Sequence, residues 1–267
     1  MKTKLIFFDI DGTLLPFGIN ELPKSTVRSL RKLREKGIKI FVATGKSLSQ
    51  LLATKIADIQ FDGYLTLNGQ LCYDENLKLF FGNPIDQREM EVLEKTFVAK
   101  TIPFTLIGEF SRYINYVNDT VIFRQEETNS TIPDIGEYRG EKIYQITAYV
   151  NEKQRQLLQR VLDMCAVTSW APDAVDIIAK GGGKLNALKR IMELYNVTKD
   201  EVMAFGDGEN DFDMIKNVGI GIAMGNSVET LKEIANYITA DVNDNGIEKA
   251  LKYYNLIDWR WINLLTL

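Results

Sequence analysis

The sequence predicts an α/β fold in which a core with a parallel sheet is interrupted by an inserted α+β domain. Short apolar runs alternate with segments of helical periodicity early in the chain and again late in it, and this alternation is typical of βαβ units. Between these two parts, strands follow one another at hairpin-like spacing. Glycine-rich segments at both borders of the middle region indicate hinges.

The first part of the chain alternates between β-forming apolar runs and segments with apolar residues on one helical face. Val27, Leu30 and Leu33 share one such face, and Gly37 follows as a residue type that often ends helices. The predicted elements are strands at 4–8, 38–43 and 63–67 and helices at 25–36 and 47–57. Because a helix between two strands returns the chain to the same end of the sheet, we expect these strands to pair in parallel.

The same alternation returns late in the chain. Leu185, Leu188 and Ile191 lie at helical spacing directly after the second glycine-rich segment. The predicted elements here are helices at 184–195, 211–217 and 227–236 and strands at 202–205 and 219–223. We expect the late strands to join the sheet of the first part.

The middle region has a different order of elements. Its predicted elements are helices at 86–100 and 151–165 and strands at 104–109, 112–118, 143–150 and 174–179. A Gly-Asn-Pro segment at 82–84 precedes the region, and three glycines at 181–183 follow it. We therefore expect one domain made of residues 1–81 and 184–267, with a second domain inserted over 82–183.

The composition is that of a globular protein, since 45% of the 267 residues are hydrophobic and 25% are charged. The net charge is −4, and the excess of acidic residues lies in the middle region, which argues against a nucleic-acid partner. The chain contains no histidine. This excludes Ser-His-Asp and Cys-His catalytic sets and all histidine metal sites, so catalysis must come from carboxylates, lysines, hydroxyls, backbone amides or a metal.

The two cysteines, Cys72 and Cys165, are too far apart for a Cys-x-x-Cys motif or a zinc set. We expect both to be reduced and buried in a cytoplasmic protein. The first apolar run stops at Asp9, well short of a secretory signal. No stretch approaches the ~18 consecutive apolar residues of a membrane span, so no membrane partner is expected.

Two carboxylates, Asp9 and Asp11, follow the first predicted strand, and Gly12 allows the chain a sharp exit from it. In an open parallel sheet, ligands bind beyond the carboxyl ends of the strands, so Asp9 is well placed for chemistry. A solvated strand end with an Asp-Gly turn is the alternative. That alternative does not explain why an apolar strand ends on a carboxylate with a second one close behind.

Thr44 and Gly45 follow the second predicted strand and precede a helix. A hydroxyl and a flexible backbone amide favour an anion at this place, because free N–H groups point outward from a helix start. A helix start with no ligand is an equal alternative for these residues alone. Gly45-Lys46-Ser47 resembles the end of a P-loop, but Ile40 stands where a P-loop needs its first glycine.

Lys184 comes directly after three glycines and begins a predicted helix. A cation in the first turn opposes the helix dipole, which fits a lysine that is presented to an anion. A solvated surface lysine is the alternative, and residue 184 alone does not exclude it.

Residues 206–213 place four carboxylates and an amide on one strand-to-helix turn. Oxygen ligands of this kind suit Mg²⁺ rather than zinc. An EF-hand loop is excluded, because Phe212 and Val218 stand where its glycine and its last glutamate belong. An acidic cap on the next helix is the alternative, but Asp207 precedes the turn that such a cap would serve.

Taken together, these residues resemble the motifs of haloacid dehalogenase-superfamily phosphatases, and in particular the Cof-type sugar-phosphatase branch (type IIB, with a C2 cap). The four motifs are matched in order by Asp9-x-Asp11-Gly-Thr, Thr44-Gly45, Lys184 and Gly206-Asp207-Gly208-x-Asn210-Asp211. The resemblance covers nearly the whole chain, including the insertion. It implies a Rossmann-like three-layer core with a parallel sheet and an inserted α+β cap domain that selects the substrate.

The resemblance also implies a reaction and a set of site residues. The reaction is Mg²⁺-dependent hydrolysis of small phosphate monoesters, above all sugar phosphates, through an aspartyl-phosphate. Asp9 is implied as the nucleophile and Asp11 as the general acid and base. The implied Mg²⁺ ligands are Asp9, the backbone carbonyl of Asp11, and Asp207. The implied phosphate-binding residues are Ile10, Thr44, Gly45, Lys184 and Asn210, while Asp211 orients Lys184 or a water on the metal.

The expected partner is a small phosphorylated substrate, and the expected state is a monomer or a weak homo-oligomer. Two other functions stay open. A phosphomutase or phosphotransferase could use the same aspartyl-phosphate and pass the phosphoryl group to another hydroxyl. A non-catalytic module could keep the site only to bind phosphate and metal.

Two features depart from the family pattern or lie outside it, and the leaving-group contacts of the insertion are located only by region. Lys46 stands where many relatives have arginine, and lysine is a point charge rather than a bidentate fork. The terminal segment 258–267 matches no family motif and is too short to span a membrane. It is expected to pack against the protein, and contact with a membrane surface or a partner is the alternative. In the insertion, residues around 112–118 or 170–176 are expected to reach the leaving group, with no single residue assigned.

Overall fold

The computed structural model of the protein describes residues 3–128 and 130–258. The strands, in chain order, are β1 (Leu5–Phe8), β2 (Lys39–Ala43), β3 (Gly63–Thr66), β4 (Leu71–Asp74), β5 (Leu79–Gly82), β6 (Phe104–Ile107), β7 (Arg112–Ile114), β8 (Asp134–Ile135), β9 (Gln145–Tyr149), β10 (Cys165–Ala171), β11 (Ala174–Ala179), β12 (Val202–Gly206), β13 (Ile220–Ala223) and β14 (Tyr237–Ile238). The helices are α1 (Lys24–Glu35), α2 (Leu48–Leu52), α3 (Gln87–Ala99), α4 (Asp119–Glu127), α5 (Glu152–Val161), α6 (Lys184–Tyr195), α7 (Phe212–Lys216), α8 (Glu229–Ile234) and α9 (Gly246–Tyr253). Short 3₁₀ helices lie at Lys55–Asp58, Leu67–Gly69, Lys199–Glu201, Glu209–Asp211 and Val242–Asp244.

Eight of these strands form one sheet, in the order β14-β13-β12-β1-β2-β3-β4-β5. The pairs from β14 to β3 are parallel, and β4 and β5 extend the sheet as antiparallel strands. Strand β1 lies inside the sheet, with Leu5 opposite both Val202 on β12 and Lys39 on β2. The predicted α/β fold with a parallel-sheet core is therefore confirmed.

All residues of strand β1 are apolar and buried. A strand of this kind can be covered on both of its faces. Leu5 and Phe7 pack into a core on one side of the sheet, and Ile6 and Phe8 pack into a core on the other side. Helices α6 and α7 supply the first core, while α1 and α9 supply the second and contact each other. This three-layer arrangement brings the carboxyl ends of the central strands to one open edge.

The second sheet has six strands, in the order β10-β11-β9-β6-β7-β8. All of its pairs are antiparallel except β7 with β8. It has an apolar core of its own, in which Phe97 of α3 and Leu158 of α5 pack with Phe104, Ile146 and Ile177 of the strands. An α+β unit thus lies between the two halves of the first sheet in the sequence.

Two predicted elements, a helix and a strand, are less than half as long as predicted. The helix predicted over 47–57 is α2 followed by a 3₁₀ helix, and the Thr54 hydroxyl donates to the Leu51 carbonyl (2.6 Å) between them, a local bond that competes with helix continuation. The strand predicted over 112–118 is only β7. Asn118 instead caps α4 by accepting a hydrogen bond from the Val121 N–H.

One further predicted helix ends earlier than expected, and several elements were not predicted from the sequence. Helix α5 ends before Cys165, which begins β10 rather than ending a helix. Strands β4 and β5 and helices α4 and α9 also had no counterpart among the predicted elements. Strands β4 and β5 have four residues each and α4 has a weak apolar face, so their local patterns give little signal. Helix α9 has a clear apolar face at Ile247, Ala250 and Leu251, which the sequence analysis missed.

The remaining expectations concern the cysteines and the end of the chain. Cys72 and Cys165 are both free and buried, as predicted. No helix within the two described ranges is long and apolar enough to cross a membrane. The predicted packing of the terminal segment 258–267 lies outside the described residues, apart from Asp258.

Candidate active site

The candidate site lies at the carboxyl ends of adjacent parallel strands. Asp9 follows β1, Thr44 follows β2, and Asp207 follows β12. Asn68 lies just beyond β3, where the backbone turns into a left-handed conformation with φ of 54°. Because β12, β1, β2 and β3 are neighbours in the sheet, all four side chains reach the same edge.

The loop after Asp9 turns sharply to bring Thr13 against Asp207. Gly12 has φ of +82° and donates its N–H to the Leu15 carbonyl (2.7 Å). The Thr13 hydroxyl donates to Asp207 Oδ1 (2.7 Å). The turn therefore orients a carboxylate of β12 toward the carboxylate of β1.

Lys184 is buried, with 2% of its surface exposed, so it is not the solvated lysine of the alternative interpretation. Helix α6 begins at this residue and directs it into the site. Its Nζ donates to Asp9 Oδ1 (2.5 Å) and to Asp211 Oδ1 (2.6 Å). One buried cation thus joins the strand-end carboxylate to the acidic turn.

Asp211 is fully buried and holds the turn after β12. Its Oδ2 accepts hydrogen bonds from the backbone N–H groups of Asp207 (3.0 Å) and Gly208 (3.1 Å). Its other oxygen receives Lys184. Asp211 thus contacts Lys184, one of the two groups that the resemblance implies it orients.

The carboxylates of the site are desolvated and crowded. Burial raises the pKa of Asp9 to about 7, and Lys184 offsets part of that effect while Asp211 adds to it. Burial, followed by the charges of Asp9 and Asp211, raises the pKa of Asp207 well above its ordinary value. Burial alone lowers the pKa of Lys184, but Asp211 and Asp9 outweigh it and raise that pKa. The site therefore carries more negative charge than one lysine neutralises.

This excess negative charge fits a divalent cation. Within the described residues, carboxylate oxygens of Asp9, Asp207 and Asp211 all lie within 4.8 Å of one another. A donor set made only of carboxylate oxygens suits Mg²⁺ rather than zinc. The predicted ligands Asp9 and Asp207 belong to this cluster. For Asp11 the predicted ligand is the backbone carbonyl, and its side chain pairs with Lys46.

Asp11 and Lys46 form an ion pair at the edge of the site. Lys46 Nζ lies 2.9 Å from Asp11 Oδ2, and the two side chains are 10% and 30% exposed. The lysine that departs from the family pattern thus contacts the residue implied as the general acid and base. Its single charge holds that carboxyl group without the bidentate contact of an arginine.

The predicted phosphate-binding residues occupy different places. Thr44 and Gly45 line a cavity at the site, and Thr44 Oγ1 accepts a hydrogen bond from the Lys46 N–H (3.1 Å). Asn210 also lines the cavity. Ile10 is fully buried and packs into the core, so only its backbone is left to meet a ligand.

Asn68 is a site residue that the sequence reasoning missed. Its side-chain amide accepts from Asn210 Nδ2 (3.0 Å) and donates to Asp176 Oδ2 (2.9 Å) and Gln145 Oε1 (3.1 Å). Gln145 in turn donates to the Gly45 carbonyl (3.3 Å). Asn68 therefore links the first sheet to two residues of the second. The Asn-Gly pair that follows the third predicted strand is the turn signal that could have identified it.

Asp176 is the buried carboxylate that the insertion contributes. It accepts hydrogen bonds from the Thr147 hydroxyl (2.8 Å) and from Asn68, and burial raises its pKa to about 6. Trp170 and Asp176 line the same cavity. Both Trp170 and Asp176 belong to the predicted contact region 170–176.

A cavity of about 540 Å³ separates the two sheets at this edge. The first sheet and its loops contribute charged and polar side chains, among them Asp9, Asp11, Thr44, Lys46, Asp207 and Asn210. The insertion contributes polar and aromatic side chains, among them Arg112, Gln125, Gln145, Tyr149, Arg155, Trp170 and Asp176. A volume of this size suits a small organic ligand. We call it the substrate cavity.

The turn at Gly12 gives a direct test of this geometry. A Cβ at Gly12 would lie 2.1 Å from Asp207 Oδ2, at a backbone φ that disfavours any side chain. Gly12→Ala is therefore expected to lower the free energy of unfolding by about 1–3 kcal/mol more than backbone strain alone, because Asp207 and the nearby Phe17 ring must move. Urea unfolding of purified variants measures this loss.

Gly37→Ala is the matched control. Gly37 has a similar φ of +76°, but nothing lies within 4 Å of the Cβ position. It carries the backbone strain without the collision. Equal losses in the two variants would show that Asp207 is not held against the turn.

The chain is similar to known proteins over nearly its whole length. Residues 6–251 match the family of haloacid dehalogenase-like hydrolases. Over 262 residues the chain is 30% identical to YkrA of Bacillus subtilis (strain 168), which is provisionally named a phosphatase. That match covers 96% of this chain and 100% of YkrA.

Solved structures share the whole architecture. BT1666 from Bacteroides thetaiotaomicron, described among the phosphatases of the HAD superfamily, is 28% identical with a TM-score of 0.88 and covers 96% of each chain. The HAD subclass IIB sugar phosphatase BT4131 is 29% identical with a TM-score of 0.88, over 96% of this chain and 100% of its own. Both sheets of the present chain therefore have counterparts in these proteins.

Proposed function

The chain belongs to the haloacid dehalogenase-like hydrolases, as an enzyme of their Cof-type phosphatase branch, and from that premise we propose that it hydrolyses sugar phosphates and related small monoesters with Mg²⁺. The observation that carries the proposal is the buried contact of Asp9 with Lys184 at the end of a central strand. Asp11 lies two residues on, and Asp207 is held beside them by Thr13. The proposed nucleophile Asp9, the proposed acid Asp11 and the cation Lys184 thus lie together at the carboxyl ends of the central strands.

In the first step, a carboxylate oxygen of Asp9 attacks the phosphorus of the monoester. The bond from phosphorus to the leaving oxygen breaks, and an aspartyl-phosphate forms on Asp9. Asp11 donates its proton to the leaving oxygen, which departs as an alcohol. Lys46, which contacts Asp11, positions that carboxyl group at the mouth of the substrate cavity.

In the second step, Asp11 acts as a base and removes a proton from water. The water oxygen attacks the phosphorus, and the bond from phosphorus to Asp9 breaks. Inorganic phosphate is released, the Asp9 carboxylate is restored, and Asp11 is protonated again for the next cycle.

Charge neutralisation supplies much of the catalysis in phosphoryl transfer. Lys184 carries a fixed positive charge next to Asp9. Thr44, Gly45 and Asn210 offer donors from the cavity wall. Mg²⁺, held by Asp9, Asp207 and the Asp11 carbonyl, would neutralise further charge on the phosphoryl oxygens.

We assign residues 82–183 to a cap that covers the substrate. Supporting this, Asn68 of the core donates hydrogen bonds to Asp176 and Gln145 of the insertion, both of which line the substrate cavity. Such closure excludes water from the reacting groups. The glycines at 181–183, two of which have positive φ, are the proposed hinge. A cytoplasmic location and a monomeric or weakly homo-oligomeric state complete the proposal.

A phosphotransferase or phosphomutase is the second candidate, because nothing in the two steps fixes water as the acceptor. The same aspartyl-phosphate would pass its phosphoryl group to any hydroxyl that took the place of water beside Asp9. Turnover in isotopically labelled water separates the two. Label in the released phosphate supports hydrolysis, and turnover without label would overturn it.

Phosphate release from a panel of monoesters is expected to require a divalent metal. The panel contains hexose, pentose and triose phosphates, nucleotides, flavin mononucleotide and pyridoxal phosphate. Chelation is expected to reduce release by at least about 100-fold, because the carboxylates would be left uncompensated, and added Mg²⁺ should restore it. Undiminished release in chelator would refute the assigned role of Asp207.

A further inference from the structure

Arg112 begins β7 and lies half-buried between two cavities. One is the substrate cavity, and the other is an adjoining cavity of about 340 Å³, which we call the side cavity. The residues that line both are Asp11, Lys46, Gln50, Arg112, Thr128 and Ser130. Arg112 therefore lies on the same side of the substrate cavity as Asp11, where the leaving group departs.

Within the described residues, the contacts of the Arg112 guanidinium are all to neutral groups. Nη1 donates to the Thr131 carbonyl (2.9 Å) and hydroxyl (3.4 Å), and Nη2 donates to Gln125 Oε1 (2.7 Å). Gln125 in turn donates to the Tyr149 hydroxyl (2.6 Å). Burial lowers the pKa of Arg112. Among residues 3–128 and 130–258, no carboxylate forms an ion pair with it.

The other cations around the site all have acidic partners. Lys46 pairs with Asp11, and Lys184 pairs with Asp9 and Asp211. Arg155, the other guanidinium of the substrate cavity, pairs with Glu152 and donates to the Ser169 hydroxyl (2.7 Å). In the described part of the chain, Arg112 is thus the cavity cation whose charge no acidic side chain balances.

Asp176, the acidic group of the insertion in the same cavity, does not balance it. Asp176 accepts hydrogen bonds from the Thr147 hydroxyl and the Asn68 side-chain amide, and it forms no ion pair with Arg112. The Tyr149 hydroxyl accepts from Gln125, which itself accepts from Arg112 Nη2, so the hydrogen-bond chain that leaves Arg112 on this side runs through neutral side chains. Arg112 therefore lies on the leaving-group side of the substrate cavity, and among the described residues no acidic side chain accepts from its guanidinium N–H groups.

A partly desolvated guanidinium with no anion beside it is costly unless a ligand supplies one. We propose that the preferred substrates carry a second anionic group, a carboxylate or a phosphate on the leaving alcohol, and that Arg112 binds it. The planar fork of arginine suits either group. This inference rests on the proposed phosphatase function and names the class of its leaving group.

The test compares matched substrates in the wild-type enzyme and in Arg112→Gln. One pair is a hexose phosphate and the aldonic acid phosphate of the same carbon chain. The second pair is a hexose monophosphate and the corresponding bisphosphate, so the pairs separate a carboxylate from a phosphate. Arg112→Gln is expected to lower the ratio of kcat/KM for the doubly anionic over the singly anionic substrate by roughly 10- to 100-fold, mainly through KM.

Using a ratio removes any general loss of folded or active protein, which a structural role at Thr131 would cause. Arg155→Gln is the matched control, because that guanidinium already has Glu152, and its ratio should stay within about threefold of wild type. Arg112→Lys keeps the charge and should fall between wild type and Arg112→Gln. An unchanged ratio in Arg112→Gln, or no preference in the wild-type enzyme, overturns the proposal.

Calorimetry on Asp9→Ala, with and without Arg112→Gln, reads binding without turnover. Tighter binding of the doubly anionic compounds that is lost with Arg112 supports the proposal, and equal binding overturns it. This arm also separates two failures. Absence of phosphate release from every compound contradicts the proposed phosphatase, whereas release without discrimination contradicts only the role of Arg112.

Discussion

Asp9→Asn is expected to reduce phosphate release by at least about 1,000-fold, because an amide cannot replace the carboxylate that attacks phosphorus. The change keeps the size of the side chain. Lys184 retains its contact with Asp211, and the turn that holds Asp207 does not involve the Asp9 carboxylate. Initial rates of phosphate release, with saturating Mg²⁺, measure the loss.

The same variant should remain at least as stable as the wild type in the absence of metal. Burial disfavours the charged form of Asp9, and Asp211 and Asp11 add repulsion that Lys184 only partly offsets. Removing one negative charge from this cluster relieves that repulsion. An enzyme that is inactive but not destabilised is therefore the expected result.

The raised pKa of Asp9 also predicts how the free energy of unfolding changes with pH. The pKa of Asp9 is about 7 in the folded protein, whereas an unfolded aspartate titrates near ~3.9. Between these values the folded state holds a proton that the unfolded state has released, so this residue makes stability fall as pH rises, by up to about 1.4 kcal/mol per pH unit. Urea unfolding of metal-free protein at several pH values should show a shallower fall in Asp9→Asn.

Asp213→Asn is the control for both experiments. Asp213 is an exposed carboxylate on α7, two residues after Asp211. It should leave phosphate release and the pH profile of stability near those of the wild type. Residual turnover of more than a few per cent in Asp9→Asn would contradict the nucleophile assignment.

The core of the fold was predictable from sequence because its central strands are buried on both faces. Strand β1 and most of β2 are continuous apolar runs, which few other elements produce. Strand β10 lacks this signal, since only Cys165 at its start is buried. Its existence depends on pairing with β11, a long-range contact that local patterning does not encode.

The site was predictable for a related reason. Neighbouring parallel strands end at one edge, so Asp9, Thr44 and Asp207 had to meet once the strand order was set. The partners of these residues could not be derived in the same way. Arg112 and Asp176 reach the cavity only through the packing of the insertion on the core, and no local pattern specifies that packing.

Lys184→Met is expected to impair both activity and stability. Methionine approximates the length of the lysine side chain but removes the buried charge. Asp9 and Asp211 would lose their shared donor, and breaking a buried pair from one side costs about 3–5 kcal/mol. Phosphate release should fall by roughly 100- to 1,000-fold, because a fixed charge beside the transferred group is lost.

The stability loss in this variant should depend on pH and on metal. With Lys184 gone, nothing offsets the rise in the pKa of Asp9 that burial causes, so the carboxyl groups take up protons more readily. The loss should therefore be largest above pH ~7 and smaller near pH ~5, where protonation removes the uncompensated charge. Added Mg²⁺ should recover more stability in Lys184→Met than in the wild type, since it supplies the missing positive charge.

Lys189→Met separates this effect from a general change to α6. Lys189 lies on the same helix but is exposed, so its loss should change the free energy of unfolding by less than about 0.5 kcal/mol. If Lys184→Met matched that control in stability and kept more than a tenth of wild-type release, Lys184 would not be the charge that holds Asp9. The buried bridge between β1 and the acidic turn would then have to be assigned to the metal and to the backbone contacts of Asp211 alone.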